Sequence, residues 1–165
     1  MPNGSLDVLL KTNPKIPTST RYLILLGIAK GMESLHEHCI IHRDLKPANI
    51  LLDQHFYPHI SDFGESVVSD LTISSILMQS YKGTPVYMAP EVFSDEEYTY
   101  KADVFSFAII MYQLLTGILP FEKYKSVFKL QIDMQNGKRP DLTVIKEERI
   151  RSFLSECWSN DPKKR

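Results

Sequence analysis

The chain has 165 residues, of which 43% are hydrophobic and 24% are charged, and its formal net charge at pH 7 is −1. This length accommodates one domain with a hydrophobic core, and the near-zero net charge excludes a bulk electrostatic attraction to nucleic acid or to an anionic membrane. The longest apolar run, at 105–115, contains polar residues and is too short for a membrane segment. The two cysteines provide no disulfide framework, so we expect an intracellular, cytoplasmic protein.

Helical patterns dominate the first third of the chain. Residues 5–10 predict a short helix that begins at Ser5 and is ended by the prolines at 14 and 17. A longer helix is predicted from a cap at Thr18 or Ser19 to about His38. Its apolar positions recur with a helical period and predict a face toward the core: Leu25, Ile28, Ala29, Met32 and Leu35.

The middle of the chain predicts a small β insert followed by a loop. Residues 50–52 form an apolar strand that residues 57–61 can join as a hairpin. Residues 64–88 are rich in Ser and Thr and predict a long loop. A strongly apolar helix follows at 101–116, ended by Gly117, and two amphipathic helices are expected near 125–136 and 146–158. The predicted fold is mostly α with a small β insert.

Three short segments carry chemistry: HRDLKPAN at 42–49, DFG at 62–64 and APE at 89–91. Asp44 is a candidate base for a substrate hydroxyl, and Lys46 can neutralise charge on a phosphoryl group. Asn49 and Asp62 offer oxygen ligands of the kind that Mg²⁺ prefers. Each segment alone is a weak signal, but together and in this order they are what phosphoryl transfer from a magnesium nucleotide needs.

At this point the chain resembles the eukaryotic protein kinase family over essentially its whole length. GTPVYMAPE at 83–91 is similar to the end of the activation segment, and DVFSF at 103–107 to the central helix of the large lobe. Cys157, Trp158 and the residues up to Arg165 resemble the last common motif of that lobe. The Cys-Trp pair and the helix around Asp103 are most similar to the tyrosine-kinase-like branch of serine/threonine kinases.

The resemblance implies ATP-dependent phosphorylation of serine or threonine on protein substrates in signal transduction, with ATP and Mg²⁺ as cofactors. It implies Asp44 as the catalytic base and Lys46 as the contact to the γ-phosphate. Asn49 and Asp62 are implied to hold the metal ions and ATP, and Leu51 to lie under the adenine.

Supporting roles are implied for residues around these. His42 and Phe63 would stack in the hydrophobic column that links the active-site segments. Asp103 would hold the backbone of the catalytic loop. Glu91 would pair with Arg165 and fix the end of the activation segment, a pair whose disruption should cost several kcal/mol, about 3–5 if buried.

Regulation by phosphorylation is implied by Arg43. In the family such an arginine pairs with a phosphorylated residue of the activation loop, supplied by an upstream activating kinase or by autophosphorylation. Ser80 best fits that position, with Ser74 or Ser75 next, and a solvated Ser-rich loop without phosphate is the alternative. Lys46 together with Thr84 favours serine or threonine over tyrosine as the acceptor.

The chain also departs from the family pattern, because no Gly-x-Gly-x-x-Gly segment occurs in it. Its first residues resemble the hinge between the lobes, and the final helix of the large lobe has no counterpart. The resemblance therefore implies a partial kinase domain at 1–165, a C-terminal lobe with the N-terminal lobe absent. We expect the chain alone to bind ATP very weakly, to transfer no phosphate, and to expose apolar surface where the small lobe would pack.

Two other functions remain open on the sequence. The first is a catalytically inactive kinase-like module that binds partners, although the intact set of Asp44, Lys46, Asn49 and Asp62 disfavours it. The second is a metal-binding protein that uses ligand-type residues around the end of the second helix. These are His36, His38, Cys39 and His42.

Overall fold

A computed structural model describes the chain at residues 1–13, 15–65, 67–68, 85–93 and 99–165. The described residues form five α-helices: α1 (Leu6–Thr12), α2 (Thr18–Glu37), α3 (Lys101–Thr116), α4 (Val127–Gln135) and α5 (Glu148–Cys157). Four short strands accompany them: β1 (Ile40–Ile41), β2 (Ile50–Leu52), β3 (Pro58–Ile60) and β4 (Val67–Val68). Short 3₁₀ turns, among them Pro47–Asn49, Pro85–Tyr87 and Pro90–Phe93, connect these elements. The helix-rich fold with a small β part is the one that the sequence pattern predicts.

The core forms where α2 packs against α3. Ile24 and Ile28 of α2 are fully buried, as are Phe105 and Ile109 of α3. Leu25, Ile28 and Met32 are buried and Leu35 is partly buried, as predicted. The expectation that Ala29 faces the core is wrong, because Ala29 is exposed and Ile24 completes the buried stripe. The stripe stabilises the fold through the apolar area that both helices remove from water.

Helix ends follow the sequence only in part. The predicted cap at Thr18 or Ser19 is wrong: the helix already starts at Thr18, Pro17 occupies the N-cap position, and no side chain caps it. Proline fits this place because its fixed φ suits a helix start and it has no N–H to leave unpaired. The predicted stop at Gly117 is confirmed, since Gly117 has a left-handed φ of 72° and its N–H donates to the Gln113 carbonyl at 2.8 Å.

The predicted hairpin is confirmed as the antiparallel pair of β2 and β3, with Leu51 opposite His59. Asp53 shapes its turn by accepting hydrogen bonds from the amides of His55 at 2.8 Å and Tyr57 at 2.9 Å. β3 packs against α2, where Gly27 lies against Pro58. The hairpin thereby joins the segment that ends at Asn49 to the segment that begins at Ser61.

A second strand pair was not predicted. β1 pairs with β4 in an antiparallel register, so residues 67–68 belong to a strand where the sequence predicts loop. Two-residue strands carry too little periodicity to be read from sequence. Residues 69–84, the greater part of the predicted loop, lie outside the described residues.

The two remaining helices pack on different parts of the fold. α5 packs against α3, and α4 packs against the 3₁₀ turns at 85–93. Both α4 and α5 begin two residues later and end one residue earlier than their patterns predict.

Among the described residues, no helix combines the length and the apolarity that crossing a membrane would require.

Candidate active site

Two polar side chains of the segment 42–49 converge on the carboxylate of Asp44. Lys46 Nζ donates to Asp44 Oδ2 at 2.5 Å. Asn49 Nδ2 donates to the same oxygen at 3.0 Å and to the Asp44 main-chain carbonyl at 2.9 Å. The turn at Pro47–Asn49 makes this possible, because it folds Asn49 back over the loop that precedes it.

The same arrangement leaves two oxygens available. Asp44 Oδ1 and Asn49 Oδ1 accept no hydrogen bond from any described residue. The Asp44 and Lys46 side chains are each 20% exposed, so the carboxylate is reachable from solvent although it is partly enclosed. A carboxylate held by two donors on one oxygen presents the other oxygen to an incoming hydroxyl.

The backbone of this loop is held by a buried aspartate from α3. Asp103, 1% exposed, accepts the His42 N–H at 2.9 Å on Oδ2 and the Arg43 N–H at 3.0 Å on Oδ1. His36 Nε2 lies 3.0 Å from Asp103 Oδ2. Arg43 has a left-handed φ of 70°, a conformation that costs about 1–3 kcal/mol for a non-glycine residue and persists only when its surroundings fix it.

His42 links the loop to the segment 61–63. Its ring is fully buried, with Nδ1 accepting the Asp44 N–H at 3.3 Å and Nε2 lying 3.1 Å from the Ser61 carbonyl. A carbonyl only accepts, so Nε2 carries the proton. The ring also contacts the Phe63 ring, tilted by 52° at a centroid distance of 5.6 Å, so the two residues that the resemblance pairs lie in contact.

Asp62 follows Ser61, which bonds to the main chain of Asn49. The Ser61 N–H and hydroxyl both donate to the Asn49 carbonyl, at 2.9 and 3.1 Å. Asp62 itself is exposed and has a left-handed φ of 65°. Leu51 is half-buried on β2, where it forms a bridge with Ser5.

The donor set fits Mg²⁺. Within the described ranges no cluster of three His, Cys, Asp or Glu side chains could hold a metal. Mg²⁺ needs no such cluster, because it is bound through one or two protein oxygens together with water and phosphate. Asn49 Oδ1 and the Asp62 carboxylate are oxygens of that kind.

Glu91 and Arg165 form the pair that the resemblance implies. Arg165 Nη1 donates to Oε1 at 2.5 Å and Nη2 to Oε2 at 2.8 Å, and the two side chains are 0% and 3% exposed. Arg165 also lies over the Phe105 ring at 5.1 Å, and Arg139 lies over it at 5.0 Å. Burial, and then the nearby Arg165, lower the pKa of Arg139 to about 10, so Arg139 stays cationic at neutral pH.

Two of the predicted positions cannot be located, and the four residues considered for a metal do not share one site. Ser80 and Thr84 lie outside the described residues. The side chains considered for a metal have separate partners: His36 contacts Asp103, His38 Nδ1 contacts the Ser34 carbonyl, and His42 is buried between Asp44 and Ser61. Cys39 is exposed.

Sequence reasoning missed the site contacts of two residues: Ser61, which it did not assign to the site, and His36, which it considered only as a metal ligand. Each contacts a site residue that is distant in sequence: His36 is 67 residues from Asp103, and Ser61 is 12 residues from Asn49. Neither belongs to a periodic pattern. The only sequence signal was their position at the end of a predicted helix and immediately before DFG.

Comparisons with known proteins agree with this geometry. The family described as protein kinase domain matches residues 1–165, and the chain belongs to that family. It is 37% identical over 163 residues to serine/threonine-protein kinase STY17 of Arabidopsis thaliana, covering 98% of this chain and 28% of that protein. It is 36% identical over 176 residues to receptor-interacting serine/threonine-protein kinase 4 of Homo sapiens, covering 100% of this chain and 21% of that protein. The chain thus spans about a quarter of the length of these curated relatives.

Proposed function

We propose that this chain carries the catalytic-loop side of a serine/threonine protein kinase active site that transfers phosphate from ATP to a hydroxyl of a protein substrate. The observation that carries the proposal is the convergence of Lys46 and Asn49 on Asp44 Oδ2 at 2.5 and 3.0 Å. This convergence occurs on a loop whose backbone is fixed by Asp103. The names of the relatives, which are serine/threonine-protein kinases, support the acceptor class.

Asp44 has the geometry of a base that orients an acceptor hydroxyl. Its Oδ1 receives the hydroxyl hydrogen while the hydroxyl oxygen bonds to the γ-phosphorus, the bond to the ADP oxygen breaks, and the proton passes to the carboxylate. Lys46, which neutralises Asp44 in this structure, is within reach to stabilise negative charge on the transferring group. Asn49 keeps the Asp44 carboxylate oriented through its amide hydrogens.

Asn49 Oδ1 and the Asp62 carboxylate would hold Mg²⁺, which when bound neutralises phosphate charge. Ser61 keeps the two positions adjacent through its two hydrogen bonds to the Asn49 carbonyl. We further propose that Leu51, half-buried on β2 beside the N-terminal segment, lies under the adenine. The lobe that would cover ATP has no counterpart in the 165 residues, since they contain no Gly-x-Gly-x-x-Gly.

We propose that the domain at 1–165 is the C-terminal lobe and needs additional residues for activity. The experiment compares phosphate transfer to a serine- and threonine-containing peptide pool by two proteins: residues 1–165 alone and the longest protein encoded with them. We expect transfer by the longer protein only. Asp44→Asn should lower it by about 10²–10⁴-fold, whereas Glu33→Gln on the exposed face of α2 should leave it unchanged.

Two results would contradict this proposal. Robust transfer by residues 1–165 alone would show that the covering lobe is not required. Transfer by the longer protein that persists in Asp44→Asn would exclude Asp44 as the base. Absence of any transfer, with retained binding of other proteins, would favour the inactive interaction module.

We also propose regulation through Ser80. Arg43 lies beside Asp44, and its backbone is fixed by Asp103, so its position follows from the fold. A phosphate on Ser80, placed there by an upstream kinase or by autophosphorylation, would order the activation segment through Arg43. Phosphopeptide mapping of active protein should find phosphate between residues 64 and 83 and should lose it in Ser80→Ala; active protein without phosphate there would exclude this regulation.

A further inference from the structure

The first five residues of the chain, named the N-terminal segment, lie along β2 as a short third strand. Ser5 forms an antiparallel bridge with Leu51. The Leu52 N–H donates to the Gly4 carbonyl at 2.8 Å, and the Leu52 carbonyl accepts the Asn3 N–H at 3.2 Å. Two consecutive residues thus bond to one, which is the arrangement of a β-bulge. Gly4 has a left-handed φ of 66°, a conformation that glycine adopts without strain.

Two backbone hydrogen bonds are few for a strand pair, and one side chain adds a third. Asn3 Nδ2 donates to the Asp53 main-chain carbonyl at 2.7 Å, across 50 positions of the sequence. Asp53 also shapes the turn of the hairpin, because its carboxylate accepts the N–H groups of His55 and Tyr57. The Asn3 amide therefore fastens the N-terminal segment to the turn of the hairpin as well as to β2.

The hairpin carries three positions of the proposed nucleotide site. β2 begins directly after Asn49, β3 ends two residues before Asp62, and Leu51 is the middle residue of β2. Ile50 and Leu52 are fully buried, so the alternation of a strand turns the Leu51 side chain to the opposite, half-buried face. The N-terminal segment borders that face, because it forms its bridge with Leu51.

We propose that Asn3 is a positioning residue for the nucleotide. Its side-chain amide holds the N-terminal segment against the hairpin, so that this segment and Leu51 form one pre-formed slot for the adenine ring. A slot that is already in its binding geometry loses less free energy in ordering when the ligand enters. The proposal rests on the kinase function above, which assigns Leu51 to the adenine.

The alternative is that Asn3 only stabilises the fold. Its loss would then lower the unfolding midpoint and reduce phosphate transfer to the same degree at every concentration of ATP and of peptide. A positioning role instead concentrates the loss in the affinity for the adenosine part of ATP. The acceptor side is spared, because the backbone of the catalytic loop is held separately by Asp103 of α3.

The binding experiment uses the longest protein encoded with this chain and adenosine as the probe, because adenosine has the base but no phosphate. Calorimetry should show about tenfold weaker binding in Asn3→Asp, which keeps the shape of asparagine but has no N–H to donate to the Asp53 carbonyl. Asn3→Gln keeps the donor on a longer side chain and should recover part of the affinity. Asn136→Asp places the same charge at an exposed asparagine that also precedes a glycine, and it should leave binding unchanged.

The kinetic experiment uses the same four proteins with a serine-containing acceptor peptide. Asn3→Asp should raise KM for ATP about tenfold, while kcat at saturating ATP and KM for the peptide stay unchanged. Asn3→Gln should lie between Asn3→Asp and the unsubstituted protein. The unfolding midpoint of each protein is measured in parallel, so that a loss of folded protein is not counted as a loss of affinity.

Hydrogen exchange of the nucleotide-free protein measures the effect of Asn3 on the strand pair itself. The Leu52 amide, which bonds to the Gly4 carbonyl, should exchange about tenfold faster in Asn3→Asp. The Gly117 amide, which bonds to Gln113 at the end of α3, should exchange at the same rate in all four proteins.

Three results would overturn the proposal. The first is adenosine binding that is unchanged in Asn3→Asp, and the second is a higher KM for ATP without weaker adenosine binding, which would place the effect at the phosphates. The third is a fall in kcat that follows a lowered unfolding midpoint. If the unsubstituted protein transferred no phosphate, the kinase function would be rejected, whereas weaker adenosine binding in Asn3→Asp would still support the role of Asn3.

Discussion

Arg165 donates both of its Nη groups to the two carboxylate oxygens of Glu91, 74 residues earlier in the chain, and neither side chain reaches solvent. The pair fastens Arg165 to the turn at Pro90–Phe93. Removal of one partner leaves the other charge buried without compensation, which costs more than the pair itself contributes.

We therefore expect Arg165→Met to lower the free energy of unfolding by about 3–5 kcal/mol. Glu91→Gln should have a smaller effect of the same sign, because the amide oxygen can still accept one bond. The double variant Glu91→Leu/Arg165→Met should recover much of the loss. The wild type, Glu91→Leu, Arg165→Met and the double variant form a cycle whose urea unfolding gives the coupling energy, and simple additivity of the two single changes would contradict the pairing.

Asp103 gives a second prediction, because it is the shared acceptor for two amides of the catalytic loop. Asp103→Asn retains shape but presents one oxygen and one NH₂, so either the His42 or the Arg43 N–H loses its acceptor. We expect a loss of about 1–3 kcal/mol in unfolding free energy.

In the longer protein, phosphate transfer measured below the unfolding transition should fall further than the loss of stability explains, because Asp44 directly follows His42 and Arg43, whose amides Asp103 holds. Ser106→Ala, which removes a buried hydrogen bond between the same helix and the Tyr87 carbonyl, is the control for stability alone. If both variants lose transfer in proportion to their instability, the positioning role of Asp103 is excluded.

Periodic features of the fold could be predicted from the sequence. The apolar spacing in α3 and the Gly117 stop define that helix, and the alternation around 50–60 defines the hairpin, because local rules govern both. Ala29 shows the limit of this reasoning. Apolar spacing alone does not distinguish the buried face of a helix from a face rotated by about one residue, and the packing of α2 on α3 leaves Ala29 exposed.

The residues of the candidate site and the contacts of Asp103 and Glu91 were implied by the sequence, but the contacts of His36 and Ser61 were not. HRDLKPAN and DFG indicate the chemistry through fixed spacing, whereas the partners that hold them come from α2 and from the segment after the hairpin. His36 and Ser61 belong to no repeat, and the left-handed backbone of Arg43 and Asp62 occurs at residues that are not glycine. Such features depend on tertiary packing, which local sequence rules do not encode.

Because of Tyr87, the free energy of unfolding should fall at high pH. Its hydroxyl donates to Gln113 Oε1 at 2.6 Å in a buried position, and burial raises its pKa well above the usual value. In the unfolded chain tyrosine ionises near pH ~10, so only the unfolded state loses this proton above that pH. The contribution of Tyr87 is complete below pH ~10 and declines above it by about 1.4 kcal/mol per pH unit until the folded pKa is reached.

Urea unfolding between pH 8 and pH 11 checks this by comparison with Tyr87→Phe. The variant should be less stable at pH 8 by about 1–3 kcal/mol, because Gln113 loses its donor, and the difference should shrink as the pH rises above ~10. All other tyrosines are present in both proteins and cancel. A difference that stays constant up to pH 11 would contradict the burial of this hydroxyl.

Gly27 makes the sharpest test of how the hairpin is positioned. A Cβ at residue 27 would lie 2.4 Å from Pro58 Cγ and 2.6 Å from Pro58 Cδ, and a proline ring cannot rotate out of the way. Alanine gains about 1 kcal/mol over glycine in a helix, but overpacking costs about 1–3 kcal/mol and a contact this short lies at the upper end. We expect Gly27→Ala to destabilise the protein in urea unfolding.

Gly31→Ala is the matched control on the same helix. Its Cβ would meet Ile60 Cδ1 at 2.8 Å, the terminal methyl of a side chain that can change rotamer, so the helix gain should offset the contact and leave stability nearly unchanged. Because β3 leads directly to Asp62, Gly27→Ala should also reduce phosphate transfer where Gly31→Ala does not. Equal stability and equal transfer in the two variants would mean that the packing of α2 on Pro58 does not position β3. The position of Asp62 would then depend on the Ser61 hydrogen bonds to Asn49 alone.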